Sequence, residues 1–147
     1  MSPRILILDE DAAAIEAAVR EASDEPLDLA VAGEASDGVA RGADAEVVFG
    51  APDLVARALP ELPRVRWVQS SWAGVRPLLP AAQRDPELAL TGVKGIFGAL
   101  MAEYVLGYLI AVERRLFEYL DQQRERRWRP LEQARLAGRR MTVLGLG

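Results

Sequence analysis

The chain has neither cysteine nor histidine in 147 residues. Without cysteine there is no disulfide and no thiolate metal site. Without histidine the commonest general acid/base and metal ligand is missing, which argues against a self-contained hydrolase triad or a zinc enzyme. No metal site is expected, and Ser70 and Ser71, though adjacent, have no base in the chain to make either a nucleophile. Long hydrophobic runs are lacking as well. The first one, Ile5–Leu8, is too short for a signal peptide and is closed by Asp9. The longest, near residues 96–112, contains Glu103 and falls short of the roughly 20 residues of a membrane span. These features read as a cytoplasmic protein that does not enter a membrane.

What remains is ordinary in bulk: 50% of residues are hydrophobic and 27% charged, as in soluble globular proteins. The length accommodates one domain with a core, or a domain and part of a second. The net charge of −4 is unevenly spread, with 13 acidic and 4 basic residues in 1–60 against 9 and 14 in 61–147. The basic half includes Arg124, Arg126, Arg127 and Arg129 around Trp128. A cluster this short on an acidic chain reads as a solvated or partner-facing helix end rather than a nucleic-acid site.

Alternation of short apolar runs with helical patterns predicts an α/β fold. Strands are expected at Ile5–Leu8, Leu27–Val31, Glu46–Phe49, Val65–Gln69 and Leu88–Leu90. A helix capped by Asp9 or Asp11 runs to about Glu21, and Pro52 opens another that Pro60 and Pro63 end. Gly33, Gly38 and Gly42 mark a loop-rich stretch, and a short helix leads to Gln83. Strands separated by helices argue for a doubly wound parallel sheet, whose ligands sit outside the carboxyl ends of the strands. The segments Phe49–Pro52 and Ser70–Val75 fall there. From Ala99 to about Arg126 one long helix is predicted, roughly 40 Å at its length. Its first half is apolar almost all round and therefore expected to be buried, and its second half is amphipathic. Such a helix crosses between domains or into a neighbouring subunit. Met141–Leu144 then reads as a further buried strand. There is no internal repeat and no low-complexity tract.

Two side chains carry competing readings. Trp72, a loop aromatic, either gates a substrate or anchors packing. Glu103 in its apolar helix is better read as a helix-start carboxylate bonded to backbone than as a catalytic group. The chain closes on Gly145-Leu146-Gly147 after an apolar run, as the dinucleotide fingerprint of a Rossmann unit opens: one glycine for the tight turn, the next for approach of a pyrophosphate. By itself that half-motif is weak.

Four segments, in order and spacing, resemble one family. Val68-Gln69-Ser70-Ser71-Trp72-Ala73-Gly74-Val75 resembles the substrate loop of the D-isomer-specific 2-hydroxyacid dehydrogenases. Thr91–Leu106, with Met101-Ala102-Glu103-Tyr104, is similar to their crossover into the cofactor domain. Trp128-Arg129-Pro130-Leu131 is similar to a connection in the glyoxylate/hydroxypyruvate reductase branch, and Leu136–Gly147 to the first strand of the cofactor domain. Residues 1–64 match only in pattern.

The resemblance implies a flavodoxin-like substrate domain over 1–98, incomplete without a C-terminal segment. Residues 99–147 would then be an interdomain helix, a dimer arm and the start of a dinucleotide-binding domain. It implies NAD or NADP as cofactor, a small 2-oxoacid or 2-hydroxyacid as substrate, and a homodimer. Carried over by position, the backbone amides of Ala73, Gly74 and Val75 hold the substrate carboxylate, beside Trp72, while Phe49 and Gly50 line the opposite wall. Met101 lies near the nicotinamide, and Gly145 and Gly147 lie at the pyrophosphate. The family's catalytic arginine, acid and histidine belong to the later cofactor domain, so no catalytic residue is expected in this chain and it is expected to be inactive alone. The alternative is a stand-alone flavodoxin-like module binding a small carboxylate or a protein without catalysis. A chain that stops inside Gly-x-Gly, rather than in an exposed linker, favours the enzyme portion.

Overall fold

Four-residue apolar runs set the sheet. In the computed structural model, which describes residues 2–145, the strands are β1 (Ile5–Leu8), β2 (Leu29–Ala32), β3 (Val47–Gly50), β4 (Trp67–Ser70) and β5 (Ala89–Thr91). All pair in parallel in the order β2-β1-β3-β4-β5. That order is the flavodoxin-like doubly wound arrangement, with its switch point between β1 and β3. The five expected strands are all present, each within two residues of its predicted bounds.

The chain divides into two units, Met1–Lys94 and Gly95–Gly147. In the first, α1 (Ala12–Glu21), α2 (Ala35–Arg41), α3 (Pro52–Ala58) and α4 (Leu79–Arg84) connect the strands. Alternate strand residues Leu6, Leu8, Ala30, Ala32, Val48 and Val68 point to one face and join Leu54, Val55, Ala58 and Leu78 in a single core. Each large side chain fully buried there contributes on the order of 2 kcal/mol. Ile7 and Ala12 are buried outside that cluster, where α1 packs on β1 and β2. Farther along the same face, over β3 and β4, burial is incomplete: Phe49 is half-buried and Trp67 is 44% exposed.

The glycine-rich stretch after β2 is a helix rather than the predicted loop. Gly38 and Gly42 lie in and just after α2, and both are buried. A Cβ on Gly38 would sit 2.9 Å from Leu8 Cδ1, and one on Gly42 would sit 2.7 Å from Leu6 Cδ2. The glycines are small because α2 lies close upon β1, which periodicity does not reveal.

In the second unit the single long helix is also corrected. The segment forms α5 (Gly98–Glu113) and α6 (Leu116–Arg124), interrupted at Arg115, which takes a left-handed conformation with φ 54°. The freed carbonyl of Glu113 accepts the Ala134 N–H at 3.0 Å, and its carboxylate pairs with Arg139 at 2.8 Å. Tyr119 Oη accepts the Leu131 N–H at 3.0 Å, so the following segment folds back along α6. The apolar first half is exposed rather than buried, Leu100, Met101 and Tyr104 among it. Within their own unit, α6 and that returning segment are too little to cover it. Residues 141–145 form no strand, and Leu144 is 94% exposed. A strand's backbone groups need a neighbouring strand, and none lies beside this segment among the described residues.

Candidate functional site

The carboxyl ends of β1, β3 and β4 are bound to one another by hydrogen bonds. Asp9, directly after β1, donates its backbone N–H to Ala32 O at 3.1 Å. Ala51 N–H reaches Leu8 O at 3.0 Å, and Ser71 N–H reaches Gly50 O at 2.8 Å. Ser71 also donates its hydroxyl to Asp9 Oδ2 at 2.8 Å. Asp9 Oδ1 accepts the Asp11 N–H at 3.2 Å. Ser70, fully buried, turns its hydroxyl oxygen to the Trp72 N–H at 3.0 Å. Trp72 O in turn accepts the Val93 N–H at 3.3 Å.

The turn that follows is anchored at its start and, through Val75 O accepting the Leu78 N–H at 2.9 Å, at its end, but its N–H groups are open. Among the described residues, the backbone N–H groups of Ala73, Gly74 and Val75 have no protein acceptor. Ala73 and Gly74 are exposed and Val75 is half-buried. Gly74 does not have positive φ, and a Cβ there would meet nothing within 4 Å. Neither the backbone nor the packing explains the glycine. Beneath the turn, Gly92 does have a packing reason, since its Cβ would lie 3.1 Å from Val75 Cγ1 and 3.2 Å from Trp72 O. Trp72 itself is 53% exposed, so its ring is not a buried packing anchor.

Phe49 and Gly50 end β3 beside this turn, on opposite faces of the sheet, Phe49 in register with Gln69 and Gly50 with Ser70. The structure thus brings Phe49, Gly50 and the Trp72–Val75 turn to one edge of the sheet. Met101 is exposed on α5, and Gly145 has φ 87° with open space around its Cβ position; both belong to the second unit. Gly147 lies outside the described residues. Sequence reasoning missed Asp9 as a member of this edge: it was read as a helix cap, yet the α1 N-terminus has no side-chain cap bond and the carboxylate goes to Ser71. No sequence signal links residues 62 apart. No group of three or more His, Cys, Asp or Glu side chains arranged to hold a metal occurs among the described residues.

A parallel sheet in this order, with helices connecting its strands, defines a flavodoxin-like α/β domain. Comparison with known proteins finds structural neighbours for the chain. The chain superposes with a TM-score of 0.82 on a D-isomer-specific 2-hydroxyacid dehydrogenase family protein from Aeromonas salmonicida, at 35% identity over 94% of this chain and 44% of that one. A 2-hydroxyacid dehydrogenase from Ketogulonicigenium vulgare matches at TM-score 0.71 and 17% identity, over 95% of this chain and 46% of that one. A D-isomer-specific 2-hydroxyacid dehydrogenase from Xanthobacter autotrophicus, solved with NADPH and MES, matches at 0.63 and 18%, over 93% and 44%. The latter two bear on the fold alone. No family model matches the chain. The resemblance read from the sequence agrees with these neighbours: the chain is similar to part of the D-isomer-specific 2-hydroxyacid dehydrogenases, and it spans less than half the length of these three structures.

Proposed function

We propose that this chain supplies the substrate-binding part of an NAD(P)-dependent oxidoreductase that interconverts a 2-oxoacid and a D-2-hydroxyacid, of the glyoxylate/hydroxypyruvate type. The observation that carries the reading is the run of three unpartnered N–H groups at Ala73, Gly74 and Val75. Successive backbone amides in a turn make an anion-binding concavity. A carboxylate accepting two or three of them gains charge-assisted hydrogen bonds without needing a cationic side chain. Gly74 leaves the space in front of the turn free for such an approach. Trp72 then closes over the substrate from the rim, and Phe49 and Gly50 form the facing wall.

The remaining assignments follow the same reading. Residues 1–98 act as the substrate domain, and 99–147 as the interdomain helix, dimer arm and opening of the dinucleotide-binding domain. Gly145 fits the first glycine of a pyrophosphate cradle, having positive φ and nothing to block approach. Gly147 and Met101 would complete the cofactor side, where NADH or NADPH would supply the hydride for 2-oxoacid reduction and the oxidised form accept it in reverse. The exposed apolar face of α5 is the surface for a homodimer. The enzyme works in the cytoplasm. The chain offers no histidine as proton donor, so the 147-residue chain is inactive alone.

The test is a coupled pair of assays. The whole protein containing this chain is mixed with NADH or NADPH and glyoxylate or hydroxypyruvate, and the 147-residue chain is treated identically. Nicotinamide oxidation by the whole protein and none by the chain is the expected result. Turnover by the chain alone overturns the placement of catalysis elsewhere. Carboxylate binding without turnover by either protein favours a stand-alone binding module instead.

A further inference from the structure

We propose that Asp9, acting through Ser71, is a positioning residue for the amide turn at Ala73–Val75, an inference that rests on the substrate-binding reading above. Ser71 is held from two strands at once. Its N–H is fixed to Gly50 O at 2.8 Å, at the end of β3, and its hydroxyl to Asp9 Oδ2 at 2.8 Å, at the end of β1. Asp9 is itself fixed, its N–H to Ala32 O at 3.1 Å and its Oδ1 by the Asp11 N–H at 3.2 Å. The next residue is held by Ser70 Oγ and Val93 N–H. After that no further hydrogen bond is made until Val75 O accepts the Leu78 N–H at 2.9 Å, and the three free amides lie in between.

The first of those amides, Ala73 N–H, lies in the same peptide plane as Trp72 O, so the hydrogen bonds at 71 and 72 set where the row begins. A donor row binds an anion well only when its directions are set beforehand, since ordering it on binding subtracts from affinity. The Asp9–Ser71 bond is the sole side-chain tie between the turn and the switch-point strand β1 among the described residues. Asp9 also brings a negative charge to the neighbourhood of a site that takes a carboxylate. A residue kept only for its charge would be disfavoured there, whereas one kept for its acceptor oxygen tolerates the repulsion. The hydrogen bond and the charge therefore have opposite effects on substrate affinity, and substitution separates them.

The experiment uses the whole protein with glyoxylate as the varied substrate. Asp9→Ala and Ser71→Ala are each expected to raise KM about tenfold, the weight of one hydrogen bond, with kcat within about twofold of the parent. The double variant is expected to be no worse than either single, because both remove the same tie. Ser71→Thr restores the hydroxyl and the KM, and Asp9→Asn, which keeps an acceptor and loses the charge, leaves KM equal or lower. Multiplying KM effects in the double variant, or a fall in kcat with KM unchanged, overturns the proposal. If the parent protein reduces no 2-oxoacid, the functional reading fails first, and the positioning role is then read from amide NMR of the 147-residue chain. There the Ala73–Val75 resonances should move in Asp9→Ala and Ser71→Ala but stay in place in Glu10→Ala. Unmoved resonances in the first two overturn it.

Discussion

A Cβ added to Gly50 would lie 2.0 Å from the carbonyl oxygen of Leu8. The two residues are partners across β1 and β3, at the carboxyl edge where the ligand crevice opens. Leu8 O is also the acceptor for Ala51 N–H, so it cannot turn aside without breaking that bond. The obstacle is backbone. Gly50→Ala must therefore displace a strand, and it should cost at least about 3 kcal/mol, the upper range of overpacking effects. Urea unfolding followed by tryptophan fluorescence measures it. A loss under about 1 kcal/mol would mean that β1 and β3 separate more easily than their register allows.

Gly38 and Gly42 differ in what opposes a side chain. At Gly38 the opposing atoms are the flexible end of Leu8, and alanine within a helix recovers about 1 kcal/mol of propensity. At Gly42 the added Cβ meets Leu6 Cδ2 at 2.7 Å and the Gly38 carbonyl at 2.8 Å, just past the helix, where propensity returns little. Gly38→Ala should be within about 1 kcal/mol of the parent, and Gly42→Ala about 2–3 kcal/mol less stable. Thermal unfolding of the two single variants decides the order, and equal losses would contradict it.

These glycines mark where the sequence stops being legible. The strands could be read because Ile5–Leu8 and Val47–Phe49 are apolar on both faces, a pattern that a buried parallel strand requires. Helix α2 could not, because glycine's small volume and its loop preference look alike in a sequence. The break at Arg115 is equally silent: neither proline nor glycine marks it, and the partner of the freed Glu113 carbonyl, Ala134, lies 21 residues on. At the candidate site, family resemblance singles out Ala73-Gly74-Val75, but the tie from Asp9 to Ser71 is a long-range contact between two unremarkable polar residues. Exposure of α5 was misread for a further reason, since hydropathy states that a surface is apolar without saying what lies against it.

Arg115 adopts the left-handed conformation, at a cost of about 1–2 kcal/mol for a residue with a Cβ. Glycine there removes that cost, but adds about 0.5–1 kcal/mol of backbone entropy and loses an exposed ion pair with Glu118 that contributes little. Arg115→Gly should therefore be equal to the parent or up to about 1 kcal/mol more stable. Arg115→Val, β-branched, should be clearly less stable. Loss of α6 helicity by circular dichroism during heating distinguishes the three, and a valine variant matching glycine would show that the break is not left-handed in solution.

Glu118 sits in the first turn of α6, where its carboxylate is stabilised first by its own backbone N–H and then by the Arg115 guanidinium, so its pKa is held below the ordinary carboxylate value. The sign follows from linkage. A group whose folded pKa is depressed contributes stability above its unfolded pKa, about 4.3 for glutamate, and that contribution is lost as pH falls through the lower folded value. The first turn of α6 should hold at neutral pH and loosen only in that acid window, with amide exchange at Leu116–Tyr119 rising there. Carboxyl-carbon NMR should place the Glu118 midpoint below the ordinary value. In Arg115→Ala the midpoint should rise part of the way and no further, because the larger cause, the helix-end amide, is still present. A full return to the ordinary value in that variant would transfer the whole effect to the ion pair.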